Sequence, residues 1–347
     1  MGQSGNRKEQ KEKQRKASQD THSFGKVYRT DRVIGSPENA AADDIHGIID
    51  FNARKDTIDS VNTPIRLVAI DIDGTLLDPH FQISQRNLDA LHAAHESGIE
   101  IMLATGRRHD YALPVVRDLG LPVWLISSNG ALVRSSSGET FYADRLPMET
   151  ARKLIRYMDE FRGNAVLTFD REGCGALVLE PEHTLHRSIA RWIEKNADHI
   201  RYLSPLEDAL TEDPIQAMYC GGVEKMKAAQ QRLAQADFTA QITVLRTQYD
   251  YRDLCILDIL NQDCTKGHAL RRWAEHRGIP RAQVMAIGDN YNDLEMLEFA
   301  GFPVIMGNAS EELRQNGWRV TASNAESGVA AALEEVLPAG FQPPVEV

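Results

Sequence analysis

The sequence RLVAIDIDGTLLDPH, residues 66–80, places Asp71 and Asp73 one residue apart, directly after a run of apolar residues. A short and nearly continuous apolar run is typical of a strand that is buried on both faces of a parallel sheet. Two like charges at this separation repel each other, and their desolvation is costly. Two interpretations stay open: a strand that ends in a polar turn at Gly74 and Thr75, or a site that uses paired carboxylates around a metal.

Strands and helices alternate after this stretch. We expect helices over 84–97 and 109–119, with Ser84 as the N-cap of the first helix. Strands are expected over 99–105 and 122–128. This alternation predicts an α/β fold, in which a doubly wound, Rossmann-like parallel sheet is connected by right-handed crossovers.

A different pattern interrupts the alternation. Neighbouring strands are mixed with helices that we expect over 149–161, 184–196 and 224–236. The doubly wound pattern then resumes, so we expect an α+β domain at 149–262, inserted into a core formed by 63–148 and 263–347. Residues 1–62 are rich in Lys, Arg, Glu and Gln at their start, and we expect this extension to be disordered.

The composition excludes several classes of protein. The 347 residues carry 50 acidic and 39 basic side chains, a net charge of −11, which argues against a general nucleic-acid partner. No apolar run is long enough to cross a bilayer, and the N-terminus does not resemble a secretory signal. The four cysteines are scattered, which argues against a disulfide framework. We therefore expect a cytoplasmic protein without a membrane or nucleic-acid partner, whose oligomeric state stays open.

Small, polar and acidic residues follow each of four expected strands. Since ligands bind at the carboxyl ends of the strands in open α/β sheets, these residues are expected to form one site. They are Asp71, Asp73, Gly74 and Thr75; Thr105, Gly106 and Arg107; Ser127, Ser128, Asn129 and Gly130; and Gly288, Asp289, Asn290, Asn292 and Asp293. Four aspartates at one edge require a cation to neutralise them, and a site with few protein oxygens and several waters favours Mg²⁺.

Groups that bind anions lie beside these acids. Thr105 and the Gly106 amide stand at the start of a helix, and Lys266 begins another. Hydroxyls, backbone N–H groups at helix starts and a lysine together form a phosphate site. Carboxylates, a metal and bound phosphate indicate phosphoryl transfer. Because the chain has no Walker loop, a carboxylate nucleophile is favoured.

Four ordered motifs, DIDGT (71–75), ATGR (104–107), TKGHAL (265–270) and GDNYND (288–293), resemble those of the haloacid dehalogenase-like (HAD) superfamily. The run SSNGA (127–131) adds to a likeness with the Cof-type subfamily, class IIB, in which a large α/β cap is inserted between the second and third motifs. The resemblance covers about residues 64–337 and implies a phosphohydrolase.

The resemblance also implies roles for single residues. Asp71 would attack phosphorus and form an aspartyl-phosphate, while Asp73 would protonate the leaving alcohol and then activate water. The metal would be bound by Asp71, by the backbone carbonyl of Asp73 and by Asp289. The remaining expected site residues bind phosphate or support the site. The phosphate-binding residues are Thr105, Gly106, Lys266 and Asn292, and the supporting residues are Asp293, Asn290 and Asn129. Asp293 would either support the metal site or orient Lys266.

The sequence therefore predicts a Mg²⁺-dependent phosphatase of small phosphorylated metabolites, such as sugar phosphates or cofactor-type phosphates. A phosphotransferase or phosphomutase that uses the same aspartyl-phosphate is the alternative, and an inactive binding module is a weaker one. Arg107 either contacts the substrate phosphate or pairs with an acid. The loops 168–175 and 247–253 are candidates for substrate selection, but no residue in them is singled out.

Overall fold

The computed structural model describes residues 26–29, 64–249 and 253–337. The β-strands are β1 (Lys26–Arg29), β2 (Leu67–Asp71), β3 (Glu100–Ala104), β4 (Trp124–Ser127), β5 (Leu132–Ser135), β6 (Thr140–Ala143), β7 (Ala165–Thr168), β8 (Leu177–Leu179), β9 (Ile200–Tyr202), β10 (Gln216–Gly221), β11 (Ile242–Tyr249), β12 (Leu254–Asn261), β13 (Val284–Gly288), β14 (Phe302–Ile305) and β15 (Arg319–Val320). The α-helices are α1 (Gln85–Glu96), α2 (His109–Leu119), α3 (Met148–Tyr157), α4 (Ala190–Lys195), α5 (Val223–Leu233), α6 (Lys266–His276), α7 (Leu294–Phe299), α8 (Glu311–Arg314) and α9 (Gly328–Glu334).

The eight-stranded sheet has the order β15-β14-β13-β2-β3-β4-β5-β6. Its strands from β15 to β4 are parallel, and the hairpin β5–β6 adds an antiparallel edge. From β2 the chain progresses outward to β4, and after β12 it returns to the other side of β2 as β13. This reversal of direction creates a switch point at the carboxyl ends of β2 and β13, where such sheets bind ligands. The predicted doubly wound α/β class is confirmed.

The central strand β2 is buried on both faces, as its apolar sequence predicts. Val68 and Ile70 pack into one layer with α1, α2 and α9, whereas Leu67 and Ala69 pack into the other with α6 and α7. Burial of each large aliphatic side chain contributes roughly 1.5–3 kcal/mol. Both layers therefore fix the strand that carries Asp71 at its end.

The first two helices of this sheet confirm their sequence signals. The Ser84 hydroxyl accepts a hydrogen bond from the backbone N–H of Asn87 at 3.2 Å and caps α1. Helix α2 spans the predicted 109–119, and Gly120 ends it in the left-handed conformation. The start of α2 follows the loop that holds Thr105, so the helix boundary positions part of the site.

The seven-stranded sheet has the order β1-β11-β12-β10-β7-β8-β9 and is antiparallel except for β8 and β9. Helices α3 and α5 pack on one of its faces. Strands β7–β12 lie between β6 and α6 in the chain, consistent with an inserted α+β domain, whose boundaries at 149 and 262 stay predictions.

Two expected helices of the inserted segment are shorter than predicted. The helix expected over 149–161 ends at Tyr157, because a 3₁₀ turn (Asp159–Asn164) follows and keeps Phe161 buried beside Leu154. The helix expected over 184–196 is α4 alone, preceded by a 3₁₀ turn at Arg187–Ile189. In both segments a 3₁₀ turn buries an apolar side chain, Phe161 in the first and Ile189 in the second. Tertiary packing determines where these turns replace the helix, so helical periodicity in the sequence does not predict them.

The predicted disorder of 1–62 concerns residues that, apart from Lys26–Arg29, lie outside the described part of the chain. Those four residues form β1, which pairs antiparallel with Leu245–Gln248 of β11. No helix in the described ranges has both the length and the apolar character that a bilayer crossing requires.

Candidate active site

The loops that follow β2, β3 and β4 are bonded to one another through their backbones. The N–H of Ile72 donates to the carbonyl of Ala104 at 3.1 Å, and the N–H of Thr105 donates to the carbonyl of Ile126 at 2.8 Å. The N–H of Asn129 donates to the carbonyl of Thr105 at 3.0 Å. The predicted residues of these three loops therefore share the carboxyl edge of the sheet.

Three carboxylates form the centre of this edge. Asp71 at the end of β2 and Asp289 and Asp293 after β13 each offer one oxygen, and these oxygens lie within 4.8 Å of one another. The three residues are buried, with exposed fractions of 4%, 6% and 0%. Buried carboxylates this close are costly without a cation, so the group can hold a metal ion.

Lys266 supplies one positive charge to this cluster. Its Nζ donates to Asp71 Oδ1 at 2.6 Å and to Asp293 Oδ1 at 2.8 Å, and the side chain is buried. Lys266 is the first residue of α6, where the positive end of the helix dipole disfavours a cation. The two carboxylates therefore determine where the ammonium lies.

The electrostatics of the cluster appear in its pKa values. Burial, together with the charge of Asp293, raises the pKa of Asp71 to about 7 although Lys266 opposes the shift. Burial and the charges of Asp71 and Asp293 raise the pKa of Asp289 well above its usual range. Burial alone would lower the pKa of Lys266, but the charges of Asp293 and Asp71 outweigh it and raise that pKa.

The charges of the cluster do not balance. Full ionisation of the three carboxylates against the single ammonium would leave a charge of −2 in a region from which water is largely excluded, and the raised pKa values of Asp71 and Asp289 oppose it. A divalent cation would balance this charge and lower the raised carboxyl pKa values. All the candidate ligands are oxygens, a donor set that suits a hard ion.

Asp73 has a different environment from Asp71. Its side chain is 39% exposed, and Arg107 holds both of its oxygens, with Arg107 Nε donating to Asp73 Oδ2 at 2.8 Å. Of the two roles left open for Arg107, the structure shows pairing with an acid. The Asp73 side chain is not one of the three clustered carboxylates, so its predicted metal contact through the backbone carbonyl stays a prediction.

Asn129 links two other predicted residues. Asn292 Nδ2 donates to Asn129 Oδ1 at 3.2 Å, and that oxygen lies 3.0 Å from where a Cβ would stand at Gly106. The loops after β3, β4 and β13 therefore meet at this amide. Asn290 acts locally, since it forms a reciprocal capping box with Asp293 around the 3₁₀ turn Tyr291–Asp293.

Thr75, which follows β2, and Asn308, which the sequence did not single out, hold Asp289 in place. The buried Thr75 Oγ1 donates to Asp289 Oδ1 at 3.2 Å. Asn308 Nδ2 donates to Asp289 Oδ2 at 3.4 Å and to the carbonyl of Gly74 at 2.9 Å. Asn308 follows β14, so extending the inspection of strand ends to a fifth strand would have found it.

Comparison with known proteins agrees with this geometry. A family model of haloacid dehalogenase-like hydrolases matches residues 68–333. Phosphatase YwpJ of Bacillus subtilis is 28% identical over 79% of this chain and 100% of its own length. The 5-amino-6-(5-phospho-D-ribitylamino)uracil phosphatase YitU of the same organism is 27% identical over 78% of this chain and 96% of its own length. The crystal structure of a haloacid dehalogenase-like hydrolase from Bacteroides thetaiotaomicron superimposes with a TM-score of 0.65 at 29% identity, covering 78% of this chain and 99% of that one.

Proposed function

Since the chain belongs to the haloacid dehalogenase-like hydrolase family, we propose that it hydrolyses phosphate monoesters of small metabolites with Mg²⁺, through a phosphorylated Asp71. Membership of this family and the likeness to named phosphatases make the chain a phosphatase. The observation that carries the proposal is a buried group of three carboxylates around one ammonium, beside the Thr105 loop. The group consists of Asp71, Asp289, Asp293 and Lys266.

The resemblance of the DIDGT motif assigns different steps to Asp71 and Asp73. A carboxylate oxygen of Asp71 attacks phosphorus while the bond from phosphorus to the alcohol oxygen breaks, and protonated Asp73 gives its proton to that oxygen. Asp73 then takes a proton from water as the water attacks the phosphorus of the aspartyl-phosphate. The bond between phosphorus and the Asp71 oxygen breaks, and inorganic phosphate leaves. For these proton transfers Asp73 has to leave its ion pair with Arg107, which holds both of its oxygens.

The phosphoryl oxygens carry negative charge throughout this reaction. Four groups hold and orient these oxygens: the side chains of Lys266, Thr105 and Asn292, and the backbone amide of Gly106. Fixed donors of this kind stabilise charge that develops in the transition state, commonly the largest contribution to the rate. The ammonium of Lys266 is positioned before substrate arrives, because Asp293 accepts one of its hydrogen bonds.

The donor set fits Mg²⁺, which prefers a few carboxylate oxygens together with waters. Asp71, Asp289 and the backbone carbonyl of Asp73 would hold the ion, with Asp293 in support. When bound, Mg²⁺ would neutralise the clustered carboxylates and polarise the phosphoryl group.

The substrate class proposed is a small phosphorylated metabolite, either a sugar phosphate or a cofactor-type phosphate. The relative YitU, named for a phosphoribityl substrate, supports the second kind. A cytoplasmic location is proposed as well. The four cysteines, all within the described residues, form no disulfide.

Phosphate release by the purified full chain tests the proposal. With Mg²⁺ we expect turnover of p-nitrophenyl phosphate and of one or more sugar or cofactor-type phosphates, loss of turnover in EDTA, and recovery on adding Mg²⁺. Release without any acceptor alcohol argues against an obligate phosphotransferase or phosphomutase. No release from any ester would favour the inactive binding module, and release that EDTA does not affect would overturn the metal assignment.

A further inference from the structure

Asp258 is a buried acid in the middle of an apolar strand, eight residues before Lys266 in the chain. It lies in β12 between Leu257 and Ile259, both of which pack into the apolar layer beneath α3 and α5. Successive side chains of a strand point to opposite faces, so Asp258 lies on the other face of the seven-stranded sheet. That face is the one without α3 and α5.

This second face meets the active-site edge of the eight-stranded sheet. Leu245, the partner of Asp258 in β11, and Leu260, two residues farther along β12, pack together with Ala131 and Cys264. Ala131 follows the loop of Asn129, and Cys264 lies two residues before Lys266. Because Leu260 is only about 7 Å along the strand from Asp258, the acid lies near the catalytic loops.

The immediate partner of Asp258 has an unsatisfied atom. Gln216 Nε2 in β10 donates to Asp258 Oδ1 at 3.1 Å. The Gln216 side chain is 7% exposed, and its Oε1 is buried without a hydrogen-bond partner among the described residues. When Asp258 is ionised it only accepts hydrogen bonds, so the amide presents its nitrogen to Asp258 and leaves its oxygen unmatched. Buried polar atoms are paired in the large majority of cases, so an unmatched one requires an explanation.

Asp258 itself is enclosed but not sealed off. Burial raises its pKa to about 7, and the hydrogen bond from Gln216 opposes the shift without cancelling it. The side chain nevertheless keeps an accessible portion, unlike its neighbours Leu257 and Ile259. Among the described side chains no cation pairs with Asp258, and a surrounded acid that is unpaired on one side is a candidate for contact with a ligand.

We propose that Asp258 and Gln216 form a recognition site for the leaving group, binding hydrogen-bond donors on the alcohol portion of the substrate. The inference rests on the proposed phosphatase function and names the chemistry that this function leaves open. Two acceptor oxygens on neighbouring strands match a leaving group with further hydroxyl groups or an ammonium group. They do not match an apolar leaving group.

Substrate selectivity tests this assignment. The values of kcat/KM are measured for p-nitrophenyl phosphate, whose leaving group has no donor beyond the ester oxygen, for sugar and polyol phosphates, and for phosphoethanolamine. The variants are Asp258→Leu, Asp258→Asn and Gln216→Leu, with Asp237→Asn as the control because Asp237 is an exposed acid of the same inserted segment.

For Asp258→Leu and Gln216→Leu we expect the kcat/KM ratio of the best donor-bearing ester to p-nitrophenyl phosphate to fall about 10- to 100-fold, the loss of one hydrogen bond to a charged or buried partner. Asp258→Asn keeps one acceptor, so its loss should be smaller, and Asp237→Asn should not change the ratio. A preference for the sugar and polyol esters identifies hydroxyls as the bound donors, and a preference for phosphoethanolamine identifies an ammonium.

An unchanged ratio in the Asp258 and Gln216 variants would overturn the inference, as would an equal loss on all esters, which indicates a structural role. Activity of the native protein on p-nitrophenyl phosphate without activity on any donor-bearing ester would overturn it while leaving the proposed function intact. Inactivity on every ester would overturn the proposed function and this inference with it.

Discussion

At the scale of single residues, Asp293 joins the lysine to the loop that presents Asp289. One of its oxygens accepts the Lys266 ammonium, and the other accepts the backbone N–H groups of Asp289 and Asn290, each at 3.1 Å. The residue is completely buried. Removing one partner from a buried ion pair costs about 3–5 kcal/mol, so this acid positions Lys266 and the Asp289 loop together.

Asp289→Asn tests whether the carboxylate cluster, which would bind a cation, destabilises the folded protein when no metal is present. The variant removes one of three mutually repelling buried charges, so without metal we expect it to be more stable than the native protein by about 0.5–2 kcal/mol. For a chain of 347 residues the midpoint of thermal unfolding should rise by roughly 1–2 °C per kcal/mol. Added Mg²⁺ should raise the Tm of the native protein and have much less effect on the variant.

Differential scanning calorimetry in EDTA gives the stability of each protein without metal, and the same measurement in Mg²⁺ gives the metal-dependent rise in Tm. Asp118→Asn, at an exposed position on α2, serves as the control and should behave like the native chain. An equal Mg²⁺-dependent rise in Asp289→Asn and the native protein would contradict the assignment of Asp289 as a metal ligand.

At the scale of elements, the turn after β2 approaches the turn after β13 very closely. Gly74 has a φ of +87°, and a Cβ built there would lie 2.4 Å from Asp289 Oδ2. Gly98, after α1, has a nearly identical φ of +83°, but a Cβ there would meet nothing within 4 Å. The two glycines therefore share the backbone requirement and differ in the space around them.

Gly74→Ala and Gly98→Ala form a matched pair. Both should pay the conformational cost of a positive φ, about 1–2 kcal/mol. Only Gly74→Ala should also displace the Asp289 carboxylate, and we expect it to lower phosphatase kcat/KM at least 100-fold and to weaken activation by Mg²⁺. Steady-state kinetics with a Mg²⁺ titration and thermal unfolding measure these effects. Equal activity in the two variants would show that the contact at Gly74 does not position Asp289.

The elements also show what the sequence can and cannot predict. Local signals were sufficient for β2 with Asp71 at its end, for the Ser84 cap of α1 and for the start of α6 at Lys266, because each depends on neighbouring residues. Asn308 was missed, and the bond of Thr75 to Asp289 was not foreseen, because these contacts span 19 and 214 residues of chain. The length of α4 was overpredicted, because packing within the inserted segment determines where this helix begins and ends.

At the scale of the whole molecule, the two sheets are connected where the chain passes between them. Asp144 follows β6 on the outward passage, and Asn261 ends β12 on the return. Asn261 Nδ2 donates to Asp144 Oδ1 at 2.6 Å, which ties the two passages together. Asp170, in the 168–175 loop that was a candidate for substrate selection, instead pairs with Arg134 at 2.8 Å and Arg145 at 3.1 Å. Part of the other candidate loop, 250–252, lies outside the described residues.

These connections bring the face that carries Asp258 to the edge that carries Asp71. In the proposed mechanism, the eight-stranded sheet supplies the reacting carboxylates and the lysine, and the seven-stranded sheet supplies the acceptors for the leaving group. Reaction type and substrate preference are thereby assigned to different sheets. Variants at Asp71 should abolish turnover of every ester, whereas variants at Asp258 should change which ester is preferred.

The most direct test of the proposed mechanism is the initial rate of phosphate release from p-nitrophenyl phosphate in Mg²⁺ by the native protein, Asp71→Asn and the exposed-site control Asp118→Asn. Asp71→Asn replaces the nucleophilic oxygen with an amide of the same shape, so we predict a rate at least 1,000-fold lower, on the order of the loss of a catalytic nucleophile. The control should retain the native rate. Full phosphate release by a correctly folded Asp71→Asn would contradict the assignment of Asp71 as the nucleophile.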